Sequence, residues 1–228
     1  MKKTLLIAAS MLLLFVVSTS NVKAQEWSTG LDIYSSYIWR GAKFGSGPAF
    51  QPYVEMSAGD FAIGAWGSVS GSIDESLEMD LYAGYSIALS ESSSLDLAVT
   101  DYYFGGDWTE YSSMHYLEPS VSLGLGDFSL TAAYMFLPEA EMEDGSTTSF
   151  GEEADLYLEA GYSFGSVDLG FGMGDGQYTD DGDFGVCNIM LGTSKDIEVT
   201  DTFTLPVSGA VILNPSTGGF FITVGISL

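Results

Sequence analysis

The stretch Leu77-Glu-Met-Asp-Leu-Tyr-Ala-Gly-Tyr-Ser-Ile87 changes character at every residue. Leu77, Met79, Leu81, Ala83, Tyr85 and Ile87 fall on one side of an extended chain, with Glu78, Asp80, Tyr82, Gly84 and Ser86 on the other. Successive strand side chains point to opposite faces, so this period of two predicts a strand with one apolar and one polar face. Segment 153–164 repeats it, with Ala154, Leu156, Leu158, Ala160, Tyr162 and Phe164 opposing Glu153, Asp155, Tyr157, Glu159, Gly161 and Ser163. Segment 167–174 does the same with Val167, Leu169, Phe171 and Met173 against Asp168 and three glycines.

Working outward, the alternation runs from Trp27 to the last residue. It predicts about twelve strands, near 27–40, 48–58, 61–70, 77–90, 95–104, 116–125, 128–137, 153–164, 167–174, 185–193, 199–213 and 219–228. Asp101 falls on an apolar face, which predicts a bulge, and Cys187-Asn-Ile-Met190 hardly alternates. The links after strands 2, 4, 6 and 8 are tight, whereas Gly105–His115, Pro138–Glu152 and Asp175–Phe184 are long and polar. The link around Lys195–Asp201 breaks this rule by being longer than the other tight ones.

An even strand count, with short turns at one end and long loops at the other, predicts an all-β fold, a transmembrane antiparallel β-barrel of about 12 strands with both termini periplasmic. A soluble sandwich or lipocalin-like barrel would turn the polar face to solvent. Here that face is rich in Gly and Ser and nearly free of Lys, and aromatics such as Trp27, Trp39, Tyr134, Phe164 and Phe220 gather near strand ends on the apolar face. The last strand, Phe220-Phe-Ile-Thr-Val-Gly-Ile-Ser-Leu228, ends on an apolar residue, and is expected to pair with the first and to be read by the barrel-assembly machinery.

Composition agrees with this reading. Charged residues make up 16% of the chain against the ~25% of soluble domains, and aromatics 14%. Thirty-one acids face six bases, three of which (Lys2, Lys3 and Lys23) precede residue 25. Such a balance excludes a nucleic-acid partner, since nothing remains to neutralise phosphates. The basic start, the 13-residue run Leu5–Val17 broken only by Ser10, and Val22-Lys23-Ala24 before Gln25 read as a cleaved secretory signal peptide. The domains are then residues 1–24, the leader, and 25–228, the barrel, in the outer membrane of a Gram-negative-type bacterium. The lone Cys187 permits no intrachain disulfide; a free thiol or metal ligand is one reading and a small strand residue the other.

Three segments carry a family resemblance: Ser35-Ser-Tyr-Ile-Trp-Arg-Gly41, Gly47-Pro-Ala-Phe-Gln-Pro-Tyr53 and Phe61-Ala-Ile-Gly-Ala-Trp-Gly-Ser68. They resemble the opening of the TorF-like family of outer-membrane barrels classed as porins. Leu81-Tyr-Ala-Gly-Tyr85 and Leu205-Pro-Val-Ser-Gly-Ala-Val-Ile-Leu-Asn-Pro215 are similar to it as well. The resemblance implies an exported barrel with a porin role.

On the inward face the pattern places Asp32, Glu55, Glu78, Asp80, Asp96, Glu118, Asp155, Glu159 and Asp168 against one base, Arg40. Carboxylates lining a lumen concentrate cations and repel anions. The expectation is a passive diffusion channel preferring small cationic or neutral solutes. The alternative is a non-conducting structural or surface-interaction barrel, which a continuous plug of inward side chains would favour. Twelve strands lie between barrels filled by side chains and barrels with open channels, and inward glycines such as Gly30, Gly84, Gly172 and Gly225 leave space that inward tyrosines can reclaim. Arg40, ending the first strand at the rim, is either a constriction facing the acidic wall or a partner for Asp32 or Glu78.

An enzyme is not expected. The lone His115 falls in a predicted loop without a convincing nucleophile or carboxylate beside it. Asp175, Asp180, Asp181 and Asp183 are weak metal candidates that miss the EF-hand register. A second acidic patch (Glu139, Glu141, Glu143, Asp144, Glu152, Glu153) reads either as solvated loop or as a place for divalent cations bridging lipopolysaccharide. No cofactor motif is present. The partners expected are outer-membrane lipids and lipopolysaccharide.

Overall fold

The computed structural model describes residues 25–71, 77–141 and 145–228, with the side chain of Ser113 excepted. The expected leader and the loop acids Glu143 and Asp144 lie outside the described residues. In chain order the strands are β1 (Gln25–Tyr34), β2 (Tyr37–Trp39), β3 (Ala42–Phe44), β4 (Ala49–Ala58), β5 (Phe61–Ser70), β6 (Leu77–Ser90) and β7 (Ser93–Tyr103). A four-residue helix, α1 (Tyr111–Met114), precedes β8 (His115–Leu125), β9 (Phe128–Phe136), β10 (Ala154–Phe164), β11 (Val167–Gly174), β12 (Gly185–Thr200), β13 (Phe203–Asn214) and β14 (Gly219–Ser227).

Every strand except β2 and β3 is a stave of one closed antiparallel barrel, in which each pairs with its sequence neighbour and β1 lies between β4 and β14. Closure rests on Asp32↔Ser227, Ile33↔Ile226 and Tyr34↔Gly225, continued by reciprocal backbone hydrogen bonds of 3.0 Å between Leu31 and Leu228. No stave keeps an unpaired edge, which satisfies the backbone without a second layer.

The period of two now has a direction. Large apolar residues such as Trp27, Leu97, Leu130, Phe171, Leu191 and Ile222 stand exposed around the outside. Inside, tyrosine rings sit over glycines of the adjacent stave: Tyr53 over Gly30, Tyr34 over Gly225, Tyr82 over Gly64 and Tyr157 over Gly172. A Cβ at any of these four glycines would collide with the ring, so they are seats for tyrosines, whereas Gly84 has no ring over it. Two-residue links close one end of the barrel, and Gly59, Gly126 and Gly165 supply the positive φ that such turns need.

Several sequence expectations change. The first strand stops at Tyr34, because residues 37–44 leave the wall as a separate hairpin, β2–β3. Strands β12 and β13 extend to meet at Asp201-Thr202, so the long link expected at Lys195–Asp201 is a tight turn beside a bulge at Val199. Cys187 is the extra residue of another bulge, which explains its broken alternation. No bulge occurs at Asp101, whose register is continuous with both neighbours. Its outward carboxylate is instead partnered by His115, which is the first residue of β8 and not part of a loop.

Candidate functional site

The hairpin β2–β3 turns inward and occupies the long-loop half of the lumen. Its two turn residues, Arg40 (φ 49) and Gly41 (φ 82), are both left-handed, the geometry of a two-residue turn between twisted strands. Gly41 is required twice, by this φ and because a Cβ would strike the Cys187 carbonyl. Asn214 anchors the turn from β13 by donating to the Gly41 carbonyl at 3.4 Å. Arg40 therefore sits inside the barrel at the hairpin tip, not at the end of a stave.

Its guanidinium forks onto Glu118, with Nη1–Oε2 at 2.6 Å and Nη2–Oε1 at 2.9 Å, and also donates to the Tyr178 hydroxyl at 2.7 Å. Neither Asp32 nor Glu78 is its partner. The cation lies 4.4 Å from the Trp39 ring centroid and 4.2 Å from that of Tyr157, close enough for cation–π attraction on both sides. Tyr178 belongs to a short 3-10 turn (Gly176–Tyr178) that drops into the same space, and burial raises its phenol well above the ordinary value. Tyr102 donates to Glu118 at 3.2 Å. The result is one buried ion pair enclosed by rings.

The remaining inward carboxylates divide by depth. Glu78 and Asp80 lie under the hairpin and are 2% and 7% exposed; Tyr37 of β2 donates to Glu78 Oε1 at 3.2 Å. Asp155 is also buried and accepts from the backbone N–H of Gln177 at 3.1 Å, holding the 3-10 turn down. Glu159 accepts from Tyr157 and, at 3.2 Å, from Asn188. Further towards the tight turns, Glu55 accepts from Tyr82 at 3.0 Å, Asp96 from Ser94 at 2.9 Å and Asp168 from Ser163 at 2.8 Å, all half-buried. Asp32 is half-buried on the inward face of β1. Inward Ser86, Ala88, Ser163 and Thr204 are exposed there, so this half of the lumen is open to water. Between the halves, a cavity of about 300 Å³ lies against Arg40, Trp39, Thr131, Glu159, Asn188 and Met190.

The acidic loop residues do not converge. Asp175 accepts from the Leu156 N–H at 2.6 Å and Asp181 from the Asp183 N–H at 3.1 Å, while the Asp180 N–H binds Ser216. Among the described residues no group of three or more His, Cys, Asp or Glu side chains is arranged to hold a metal ion.

A second cluster lies on the outer side of the wall. His115, 1% exposed, directs Nδ1 at the Asp101 carboxylate (3.0 Å) and Nε2 at the Trp108 carbonyl (3.2 Å). Tyr111 stacks on the imidazole at 4.5 Å, and Tyr103 and Trp108 complete the enclosure at 5.1 and 4.7 Å. Burial pushes the Tyr111 phenol up to about 12. At the exposed start of this loop, hydrogen bonds from the Thr109 side chain and backbone hold Asp107 below the usual carboxylate range.

A family model described as a bacterial protein of unknown function, Gcw_chp, matches residues 19–205. The chain belongs to the Gcw_chp family. No curated protein matches it in sequence at a significant level. Among solved structures, the NanC porin is similar to this Gcw_chp chain with a TM-score of 0.52 at 10% identity, over 86% of this chain and 97% of that one. OprD of Pseudomonas aeruginosa gives 0.40 at 12% identity, over 92% and 67%. OccAB3 of Acinetobacter baumannii gives 0.39 at 10%, over 89% and 63%. The likeness to NanC is one of fold: a closed antiparallel barrel.

Sequence reasoning missed three parts of this Gcw_chp lumen: the hairpin, Tyr178 and the Arg40–Glu118 pairing. The hairpin left a signal in Arg40-Gly41, a polar residue followed by Gly between Tyr37-Ile-Trp39 and Ala42-Lys-Phe44. It was masked because Tyr37-Ile-Trp39 continues the alternation of β1 across Ser35-Ser36. Tyr178 had none, since its role depends on a loop folding back across the barrel mouth.

Proposed function

We propose that this protein is an exported outer-membrane barrel acting as a narrow, porin-like passive channel for small cationic or neutral solutes. The observation that carries the reading is the charge of the inward wall. The alternation puts nine carboxylates inward, the extended β12 adds Asp196 and Glu198 on the same face, and the guanidinium among them, Arg40, is already committed to Glu118. In a water-filled passage such a wall raises the local cation concentration and excludes anions. The apolar exterior supports a bilayer location, and the porin NanC shares the barrel. The two-residue turns are the periplasmic end in this reading, with both termini beside them, and the long loops face outward towards lipopolysaccharide. The C-terminal strand, which closes the barrel against β1, is the element offered to the assembly machinery. The TorF-like features of residues 35–68 fit the same role.

The β2–β3 hairpin sets the constriction. Solutes pass beside it, along the cavity under Arg40, and the half-buried acids Glu55, Asp96 and Asp168 supply the selectivity. Refolded protein in a planar bilayer under a potassium chloride gradient is expected to give small, stable steps with a cation-selective reversal potential. Neutralising Glu55, Asp96 and Asp168 together (E55Q, D96N, D168N) should move that potential towards zero; an unchanged value would refute the acidic-wall mechanism.

One observation favours a second reading, a non-conducting barrel acting through its loops. Tyr37, Phe44, Trp39, Tyr102, Tyr178 and Tyr157 pack as a connected set across the lumen. Electrical silence from a correctly folded barrel would select it.

A further inference from the structure

Beneath the hairpin, two acids are buried without a base. Glu78 and Asp80 are successive inward residues of β6, and each is more than nine-tenths buried. Glu78 Oε1 accepts from Tyr37, but Glu78 Oε2 and Asp80 Oδ1 have no hydrogen-bond partner among the described residues. The guanidinium inside the barrel is spent on Glu118, whose Oε1 also accepts from the Tyr102 hydroxyl. Lys43 on the hairpin and Lys195 on β12 are both exposed, and among the described residues neither forms an ion pair with Glu78 or Asp80. Holding two carboxylates out of water with a single hydroxyl donor between them and no counter-charge is costly, so an arrangement of this kind calls for a positive occupant.

We propose that Glu78 and Asp80 form an internal binding site for one hard divalent cation, of the calcium type, that locks the hairpin against the barrel wall. The donor set is of oxygen only, which suits Ca²⁺ rather than a transition metal. Ser68 lies directly opposite Glu78 on β5, and Gln51 on β4 donates to Ser68 at 3.4 Å, which leaves the Gln51 carbonyl oxygen as a further neutral oxygen at the same corner. Trp66 is the cross-strand partner of Asp80, and its ring meets that of Tyr37 at 5.6 Å, so the site touches wall and hairpin together. The cation neutralises the two acids and, through Tyr37 on Glu78, ties β2 down. Arg40 performs the same task at the hairpin tip with a covalently attached charge.

The test uses the full mature chain refolded in detergent, with Ca²⁺ and Mg²⁺ as probes, and does not require a conducting pore. Calorimetry is expected to show one Ca²⁺ per chain, and chelation to lower the unfolding temperature. Terbium, used as a luminescent calcium substitute, should show emission sensitised by Trp66 that Ca²⁺ displaces and that W66F reduces. The double variant E78Q/D80N should bind Ca²⁺ at least tenfold more weakly and lose the stabilisation, while D180N/D181N/D183N retains both. No Ca²⁺ response in the wild type, or a response kept by E78Q/D80N and lost by the loop variant, would overturn the site. A chelator-insensitive protein stabilised only by acid would overturn it too, because protons would then be the occupant. Should E78Q/D80N fail to fold, the terbium titration of wild type and W66F decides alone. Binding by an electrically silent barrel would uphold this site and refute the channel, and conduction without binding would do the reverse.

Discussion

Glu118 and His115 are three residues apart on β8 and face opposite sides of the same wall, and each belongs to a base–carboxylate pair. Inside, Arg40 meets Glu118 across 78 positions of sequence. Outside, His115 meets Asp101 across 14. Both bases are enclosed by aromatic rings, yet they do different work. The inner pair holds a hairpin in the lumen with a planar cation that stays charged at any ordinary pH. The outer pair pins residues 104–111 against the outside of the barrel with a ring whose two nitrogens reach a carboxylate and a backbone carbonyl at once. The difference lies in what must be fixed: a plug surrounded by acids needs a permanent charge, whereas a loop over an apolar face needs a compact ring that stacks.

The sharpest way to break this comparison is Arg40→Met. Removing one member of a buried pair leaves Glu118 uncompensated, an expected loss of about 3–5 kcal/mol, read in urea unfolding of the detergent-refolded barrel. Adding Glu118→Gln should recover most of it, and conductance of both variants should exceed that of the wild type as the hairpin loosens. An R40M protein as stable as the wild type, with an unchanged pore, would mean the hairpin is held by its rings alone.

His115→Ala should have a smaller and more local effect. Loss of a buried hydrogen-bonded ring with two partners is expected to cost about 1–3 kcal/mol. It should appear as faster hydrogen exchange and proteolysis at 104–111, with conductance unaltered. A change in pore current would show that the two sides of the wall are coupled. Trp108→Ala removes one enclosing ring and leaves the Trp108 carbonyl in place. About 1 kcal/mol is expected, confined to the same exchange signals, and a larger loss would make the indole and not the ion pair the main anchor.

Much of this molecule is legible in its sequence, and the parts that are not share a reason. The alternation of Leu77–Ile87 is local, so it set β6, its inward acids and its outward apolar residues, and similar runs set the other staves. Where the local pattern misleads, a distant partner is responsible. Asp101 reads as a fault in an apolar face until His115 is seen beside it. The run Tyr37-Ile-Trp39-Arg40 reads as the end of a stave until Glu118 and Tyr178, 78 and 138 positions away, are seen to receive it. Gly30, Gly172 and Gly225 read as empty space until tyrosines of neighbouring staves are placed over them.

By itself, then, the sequence determined a closed, apolar-coated, acid-lined barrel, because a period of two and the lengths of turns are properties of adjacent residues. Only the tertiary structure decided that a hairpin enters the lumen, that Arg40 answers Glu118, and that Glu78 and Asp80 are buried with no base beside them among the described residues. Those facts depend on which staves closure brings face to face across the lumen, and no local spacing encodes the opposite wall of a barrel.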